Sequence, residues 1–265
     1  MSMGLRLVMA ALVAGAPTRV LGAPPVEAIV ARMHAVLEPA KPSVRQLVLH
    51  ITGQGGDTTE WVAGQARKQV KGGERVVTVV LAPASVRGTA FLVEEGKHED
   101  VKWLWNPAIR RVRKIVPLEG QEAFLGSDFT YYDLGIVDRH AQHRLLGEET
   151  RDGVRVYRIE EIPRSRWYYS RLVTWVGVDS GFPIEREFYD PAGELWKVER
   201  FEQITAIDGI PTVLRMRMED RLQQGSTVID VSGVRYGADL PDTLFEPSAL
   251  PETAAASIWQ SVGGR

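Results

Sequence analysis

The chain has 265 residues, 44% of them hydrophobic and 25% charged, a globular balance that excludes wholesale disorder. Lys and Arg number 32 against 34 Asp and Glu, so the formal net charge is -2 and no global basic field points to nucleic acid. Cysteine is absent, which excludes disulfides, thiolate metal sites, cysteine nucleophiles and lipid attachment at an N-terminal cysteine.

Residues 1–22 read as a secretory signal peptide. Arg6 supplies the positive n-region and Leu7 to Ala16 the apolar run, with Val20, Leu21 and Gly22 before a cut ahead of Ala23. The run is too short to span about 30 Å of hydrocarbon, and Pro17 and Arg19 end it. An exported chain of this kind is expected in the periplasm of a Gram-negative bacterium as a soluble protein.

Pro24 and Pro25 open a helix, because a missing N–H costs nothing at a helix start. Val26, Ile29, Val30, Met33 and Leu37 recur at helical spacing, and Pro39 and Pro42 stop the element. Extended segments follow: 44–52, 59–70 and 74–82, then 154–162, 170–178, 184–189, 195–207, 210–221 and 226–236, separated by turns such as Asp152-Gly153, Asp190-Pro191-Ala192-Gly193 and Asp208-Gly209. Leu214, Met216 and Met218 alternate with Arg215, Arg217 and Glu219, the period of a strand with one dry and one wet face. About ten strands in one antiparallel meander cannot stay flat, since twist accumulates, and must curl into a barrel or half-barrel.

Residues 117–144 break the pattern and read as a short helical insertion lying across the sheet, with Ser127 or Asp128 as its cap and Phe124, Leu125, Phe129, Tyr132 and Leu134 on its sticky side. From 237 onward the chain reads as an irregular strap and then, over 252–265, a flexible tail rich in small residues. Residues 23–251 are expected to form a single domain.

The motifs of catalysis are missing from the sequence: no Gly-x-Ser-x-Gly, phosphate loop, Gly-x-Gly-x-x-Gly or His-Glu-x-x-His occurs. His140, His143 and Asp138 could meet one metal on a helix, but two solvated loop histidines explain them with fewer demands. Ser127-Asp128 reads as a cap and not as half of a triad. Glu94-Glu95, Glu99-Asp100 and Glu160-Glu161 point to opposite strand faces and read as solvent charges. Arg110, Arg111, Arg113 and Lys114 sit on a hairpin strand, and Arg164 and Arg166 precede Trp167-Tyr168-Tyr169; both clusters read as solvated faces, with anionic headgroups or an acidic partner as the rarer use. Aromatic residues crowd the central third, from Trp103 and Trp105 to Trp175. On a curled sheet that excess reads as core or as the lining of an apolar pocket.

Over residues 22–251 the chain resembles the periplasmic outer-membrane lipoprotein-sorting (LolA-like) family. The resemblance rests on the helix after the signal peptide, on Lys102-Trp103-Leu104-Trp105-Asn106-Pro107, on Pro83-x-x-Val86-Arg87-Gly88-Thr89-Ala90-Phe91-Leu92, and on Phe124-Leu125-Gly126-Ser127-Asp128-Phe129-Thr130. The last two look like the branch often linked to RND-type lipid exporters. The resemblance implies a mainly β fold with an α lid: a curled antiparallel sheet forming an unclosed half β-barrel, capped by the N-terminal helix and short central helices. It further implies a cavity for the acyl chains of a lipid or lipoprotein, passed between an RND-type inner-membrane exporter and an outer-membrane acceptor, with no cofactor and no enzymatic activity. The expected cavity and lid residues are Ile29, Met33, Trp103, Trp105, Phe124, Leu125, Phe129 and Tyr132. A monomer is expected. The alternative is a lipid-responsive regulatory sensor of the same fold that binds an anti-sigma factor.

Overall fold

The computed structural model describes residues 22–71, 73–96, 100–116, 122–131, 133, 141–163 and 168–262. The expected signal peptide lies outside the described residues, apart from Gly22. One helix, α1 (Val26–Leu37), leads into thirteen strands: β1 (Ser43–Thr52), β2 (Thr58–Val70), β3 (Gly73–Ala82), β4 (Ala90–Glu94), β5 (Val101–Asn106), β6 (Arg111–Ile115), β7 (Gln142–Arg151), β8 (Val154–Ile162), β9 (Arg171–Gly177), β10 (Pro183–Tyr189), β11 (Leu195–Ile207), β12 (Ile210–Asp220) and β13 (Gly225–Tyr236). A short helix α2 (Leu250–Ala254) and several 3₁₀ turns complete the chain.

All strands join one antiparallel sheet in the order β6-β5-β4-β3-β2-β1-β13-β12-β11-β10-β9-β8-β7. Two meanders run outward in opposite directions from the β1–β13 seam, and β6 and β7 are left as the free edges. The sheet is curled and unclosed, mainly β with an α lid, as expected. The chain between β6 and β7 has to pass from one edge to the other, so it crosses the open mouth of the half-barrel. That crossing is the physical reason for an irregular middle in a chain of regular strands.

Alternation and register define two faces. The inner face carries Leu47, Leu49 and Ile51 of β1, Phe91 and Val93 of β4, Leu104 of β5, Phe188 of β10, Met218 of β12 and Ile229 and Val231 of β13. Phe124, Phe129 and Tyr131 of the crossing segment close over that cluster. The stripe of α1 covers a neighbouring part of the same face: Ile29, Val30 and Met33 pack on Tyr157 and Ile159 of β8 and Val176 of β9. Each such buried side chain is worth about 1.5–3 kcal/mol. Arginines hold the helix at its middle and at its C-terminal end. Arg32 donates to the carbonyls of Val178 (2.8 Å) and Asp179, and Arg67 donates to the carbonyl of Leu37 (3.2 Å) while gripping Glu74 (3.0 Å).

The outer face of β1–β6 is also apolar, and the C-terminal strap covers it. Val44, Ala66, Val77, Val79, Ala90 and Leu92 meet Leu244, Phe245, Leu250, Trp259 and Val262. The fraying tail expected from 252 onward is therefore replaced, through residue 262, by a docked segment. Trp259 is 4% exposed and donates its indole N–H to the Thr253 carbonyl at 2.6 Å. Small residues in the tail leave room for the fold-back and Trp259 supplies the anchor. Gly64 makes the contact possible: a Cβ there would stand 2.4 Å from the Trp259 ring.

Strand β7 was missing from the sequence expectation, because its residues are mostly polar and show no clean alternation. The 124–131 region forms no helix beyond one 3₁₀ turn, Phe124–Gly126, and Leu125 within it has a left-handed φ of 53°. Ser127 and Asp128 follow that turn, so they cannot cap its start.

Candidate functional site

A cleft of about 520 Å³ opens at one end of the sheet, between the crossing segment and the strand ends. Ile51 of β1, Gly53 and Gln54 of the β1–β2 turn, Ser127, Asp128 and Thr130 of the crossing segment, Tyr168, Trp196 and Lys197, Asp220 at the end of β12, and Leu222 and Gln223 of the β12–β13 turn line it. Asp220 shapes its floor by local hydrogen bonding. One carboxylate oxygen accepts from the N–H groups of Leu222 (2.9 Å) and Gln223 (2.7 Å), and the other accepts from the Trp196 indole (3.0 Å). The fixed indole carries an aromatic stack. Tyr168 stands edge-on to Trp196 with centroids 4.4 Å apart, and Tyr169 lies between Trp196 and Phe188.

Lys197 is the pin of the site. It is 3% exposed, donates to the Asp128 carbonyl at 2.7 Å, and lies 3.6 Å from the Asp133 carboxylate. Asp133 also accepts from the Tyr169 hydroxyl (3.0 Å) and the Thr130 N–H (2.7 Å). Asp128 is bound twice by Thr227: the Thr227 hydroxyl donates to its carboxylate at 2.6 Å, and its own N–H donates to that hydroxyl at 3.0 Å. Gly225 permits the approach, since a Cβ would stand 2.6 Å from the Asp128 carboxylate. Burial lifts the Asp128 carboxyl above its ordinary value, against the Thr227 hydrogen bond. Burial, with the Asp133 carboxylate beside it, holds the Tyr169 hydroxyl well above its usual value. One strand position deeper, burial pushes Glu199 up to about 7, which the Arg186 guanidinium at 3.5 Å only partly offsets.

Asp128 is thus a tether between the crossing segment and β13, not a helix cap and not half of a triad. The Ser127 hydroxyl donates to the Phe129 carbonyl at 3.2 Å. His143 sits on β7, 3.6 Å from Glu161, and not in a solvated loop; His140 and Asp138 lie outside the described residues. Among the described residues no group of three His, Asp or Glu side chains could hold a metal ion. Glu160 and Glu161 do face opposite ways, but both are buried: Arg144 at 2.7 Å and Arg171 meet Glu160, and His143 meets Glu161.

The expected cavity residues divide among three places. Phe124, Leu125 and Phe129 join the inner cluster beside the cleft. Ile29 and Met33 lie under α1 in a separate inner cluster. Trp103 and Trp105 are on the outer face with the C-terminal strap, and Trp103 donates to Glu94 at 2.8 Å; the inner-facing residue between them is Leu104. Tyr132 lies outside the described residues. Lys197, Asp133, Trp196 and Asp220 escaped the sequence reading, because each sits at an ordinary strand position or turn and only the curl brings them together. Tyr168 was flagged through the aromatic crowding.

An unclosed antiparallel half-barrel with a separate cover over its inner face is the LolA-like architecture. A family model described as "-like: Uncharacterized protein" matches residues 72–252. A solved DUF1329 family protein from Desulfovibrio piger is 32% identical over 86% of this chain and 100% of that chain, with a TM-score of 0.79. An outer membrane lipoprotein-sorting protein domain from Vibrio parahaemolyticus is 25% identical over 84% and 97% of the two chains, with a TM-score of 0.80. A LolA superfamily protein from Nitrosomonas europaea, 23% identical over 84% and 98%, shares the fold with a TM-score of 0.70. No curated protein matches. The chain belongs to the DUF1329 family, a LolA-like family. Among the described residues no helix is long and apolar enough to cross a membrane.

Proposed function

We propose that the protein is a periplasmic carrier that takes up the acyl chains of a lipid or lipoprotein against its inner face and passes them between membrane partners. One observation carries the reading. The inner apolar cluster is closed by a segment outside the strand ladder, folded on itself through one bridge (Ala123 with Thr130) and held to the sheet by polar tethers from Lys197 and Thr227, with the cleft along its flank. A cover of this kind can open without unzipping the sheet. The cleft lies within the range of about 300–1,000 Å³ usual for small-molecule sites. The polar residues of the cleft, Asp128, Lys197 and Asp220 among them, suit a headgroup, and each methylene buried beyond them against the inner cluster would contribute about 0.8 kcal/mol.

Phe124, Leu125 and Phe129 would line the chain path, and Ile51, Trp196 and Tyr168 its mouth. Ile29 and Met33 would support a second cover through α1. The RND-type exporter and outer-membrane acceptor that the resemblance implies are the partners this reading expects, and the role is binding and transfer, not catalysis. Native mass spectrometry and lipid extraction of protein purified from the periplasm test it directly. Co-purifying lipid, with displacement by a fluorescent fatty acid at micromolar concentration, is the expected result. Lipid-free protein that ignores the fatty acid would sink the carrier reading.

A further inference from the structure

The β5–β6 hairpin differs in charge from the rest of the surface. Residues 101–116 contain Lys102, Arg110, Arg111, Arg113 and Lys114 and no acidic residue, in a chain whose overall charge is -2. Lys102 is buried, 3.8 Å from Asp100. Arg110, Arg111 and Lys114 are exposed, and none has an ion pair or side-chain hydrogen bond among the described residues. The arginines on the outer face of β7–β13 show what ordinary strand charges do here: Arg144 meets Glu160 at 2.7 Å and Arg215 meets Asp230 at 2.6 Å. Arg110, Arg111 and Lys114, exposed and without a partner among the described residues, are open to something else.

The same hairpin holds an apolar residue in the open. Ile109, in the turn, is 64% exposed. Trp105 stands half-buried behind the turn, and its indole N–H has no hydrogen-bond partner among the described residues. Antiparallel strand order fixes where this tip points. The β5–β6 turn lies at the same end of the sheet as the β1–β2 and β12–β13 turns, both of which line the cleft. The guanidinium groups of Arg110 and Arg111 beside an exposed isoleucine, with Lys114 farther along β6 opposite Trp103, match a negatively charged lipid surface: the cations meet headgroups while the apolar tip enters the acyl boundary. An acidic protein surface would satisfy the cations and leave Ile109 without a role.

We propose that the tip of the β5–β6 hairpin, Ile109 flanked by Arg110 and Arg111 with Lys114 behind them on β6, docks the protein onto an anionic bilayer with the cleft end facing the lipid. This contact is separate from the inner face, so it stands or falls independently of cargo binding.

The test uses the full chain with vesicles of phosphatidylglycerol and phosphatidylethanolamine, against phosphatidylcholine vesicles. The expected result is co-sedimentation with the anionic vesicles only, weakened by salt. The triple variant Arg110→Ser, Arg111→Ser, Lys114→Ser should bind about a hundredfold more weakly, since each cation near such a surface is worth roughly a factor of five. The chain has no cysteine, so Ile109→Cys carrying an environment-sensitive dye gives a single-site probe; its emission should shift to the blue on anionic vesicles. Ile109→Ser should weaken vesicle binding and leave binding to polyglutamate unchanged. If the triple variant does not fold, the dye at position 109 still decides. Wild-type protein that ignores anionic vesicles, or a dye that stays in water when the protein binds, overturns the proposal. So does polyglutamate binding as tight as vesicle binding with no effect of Ile109→Ser, which assigns an acidic protein. A triple variant that self-associates while keeping its vesicle affinity overturns it too, since the cations would then serve to guard the β6 edge.

Discussion

The two halves of the sheet solve the same problem differently on their outer faces. On β1–β6 that face is apolar and needs a cover, which residues 238–262 provide. On β7–β13 it is covered by its own side chains: cross-strand ion pairs (Arg144, Glu160 and Arg171; Arg200 between Glu185 and Glu219; Arg215 with Asp230) surround a small apolar cluster of Val156, Val173 and Trp175, with Arg151 lying over the Trp175 ring. Both halves have the same pleat and the same alternation. The difference teaches that alternation identifies two faces without saying which of them is dry. The half with an apolar outer face depends on a segment far away in sequence, whereas the half with a charged outer face is complete in itself.

The largest effect should come from uncovering the first half. Trp259→Ala is expected to lower stability by about 3–5 kcal/mol, read as a fall in the urea midpoint. Gly64→Ala should shift the midpoint the same way, because the ring must move to admit the methyl group. An unchanged midpoint in Trp259→Ala would mean that the strap decorates the sheet and does not stabilise it.

A buried pair on the shared inner face should come next. Lys197→Met leaves the Asp133 carboxylate buried without its cation, at a cost of about 3 kcal/mol. It should also raise hydrogen exchange across residues 122–131, while the outer ladder stays protected. The double variant with Asp133→Asn should recover part of the loss; if it does not, the two residues are not coupled.

Glu199 sharpens the comparison through pH. Its folded-state value, near 7, is above the ordinary 4.5 of an unfolded chain, so the fold favours the protonated form. Its contribution is therefore fully present below pH 4.5 and is lost as the pH rises through about 7. The loss is at most about 3 kcal/mol. Glu199→Gln should flatten stability across this window. An equally steep decline in the variant would assign the pH dependence to other groups.

The smallest effect belongs to the ion-pair lattice. Arg200→Gln breaks contacts to Glu185 (3.0 Å) and Glu219 (2.8 Å), yet Arg200 and Glu219 are reached by solvent and the buried Glu185 keeps Arg151 as a second partner. A loss under about 1 kcal/mol, shrinking at high salt, is expected in thermal melts. A loss as large as that of Trp259→Ala would mean that the two outer faces stabilise the sheet in the same way.

Much of this architecture was legible in residue order. Helix α1 follows from a stripe at 3.6-residue spacing between proline pairs, and strands such as Val154–Ile162 and Leu195–Ile207 follow from extended runs bounded by turn residues. The need for curvature follows from strand number alone. The candidate site was only partly legible. Phe124, Leu125 and Phe129 were marked by their aromatic and apolar character, but Trp103 and Trp105 were assigned to the inner face when Leu104 is the residue that points there. Glu160 and Glu161 show the same limit, since their opposite orientation could be read and their burial could not.

Local sequence determines secondary structure here because dihedral preference and side-chain period act over a few residues. It also marks the 117–144 stretch as a break in the meander, although β7 already begins at Gln142. Which face is inner, which half carries a strap, and which lysine meets which carboxylate are decisions of tertiary structure. They depend on the β1–β13 pairing, which joins residues nearly two hundred apart in the chain, such as Val48 and Asp230. They depend equally on the crossing from β6 to β7, which carries Asp128 and Asp133 to Lys197. A period-two pattern is unchanged when the two faces are exchanged, so only the direction of curl and the segments that close over it break the tie.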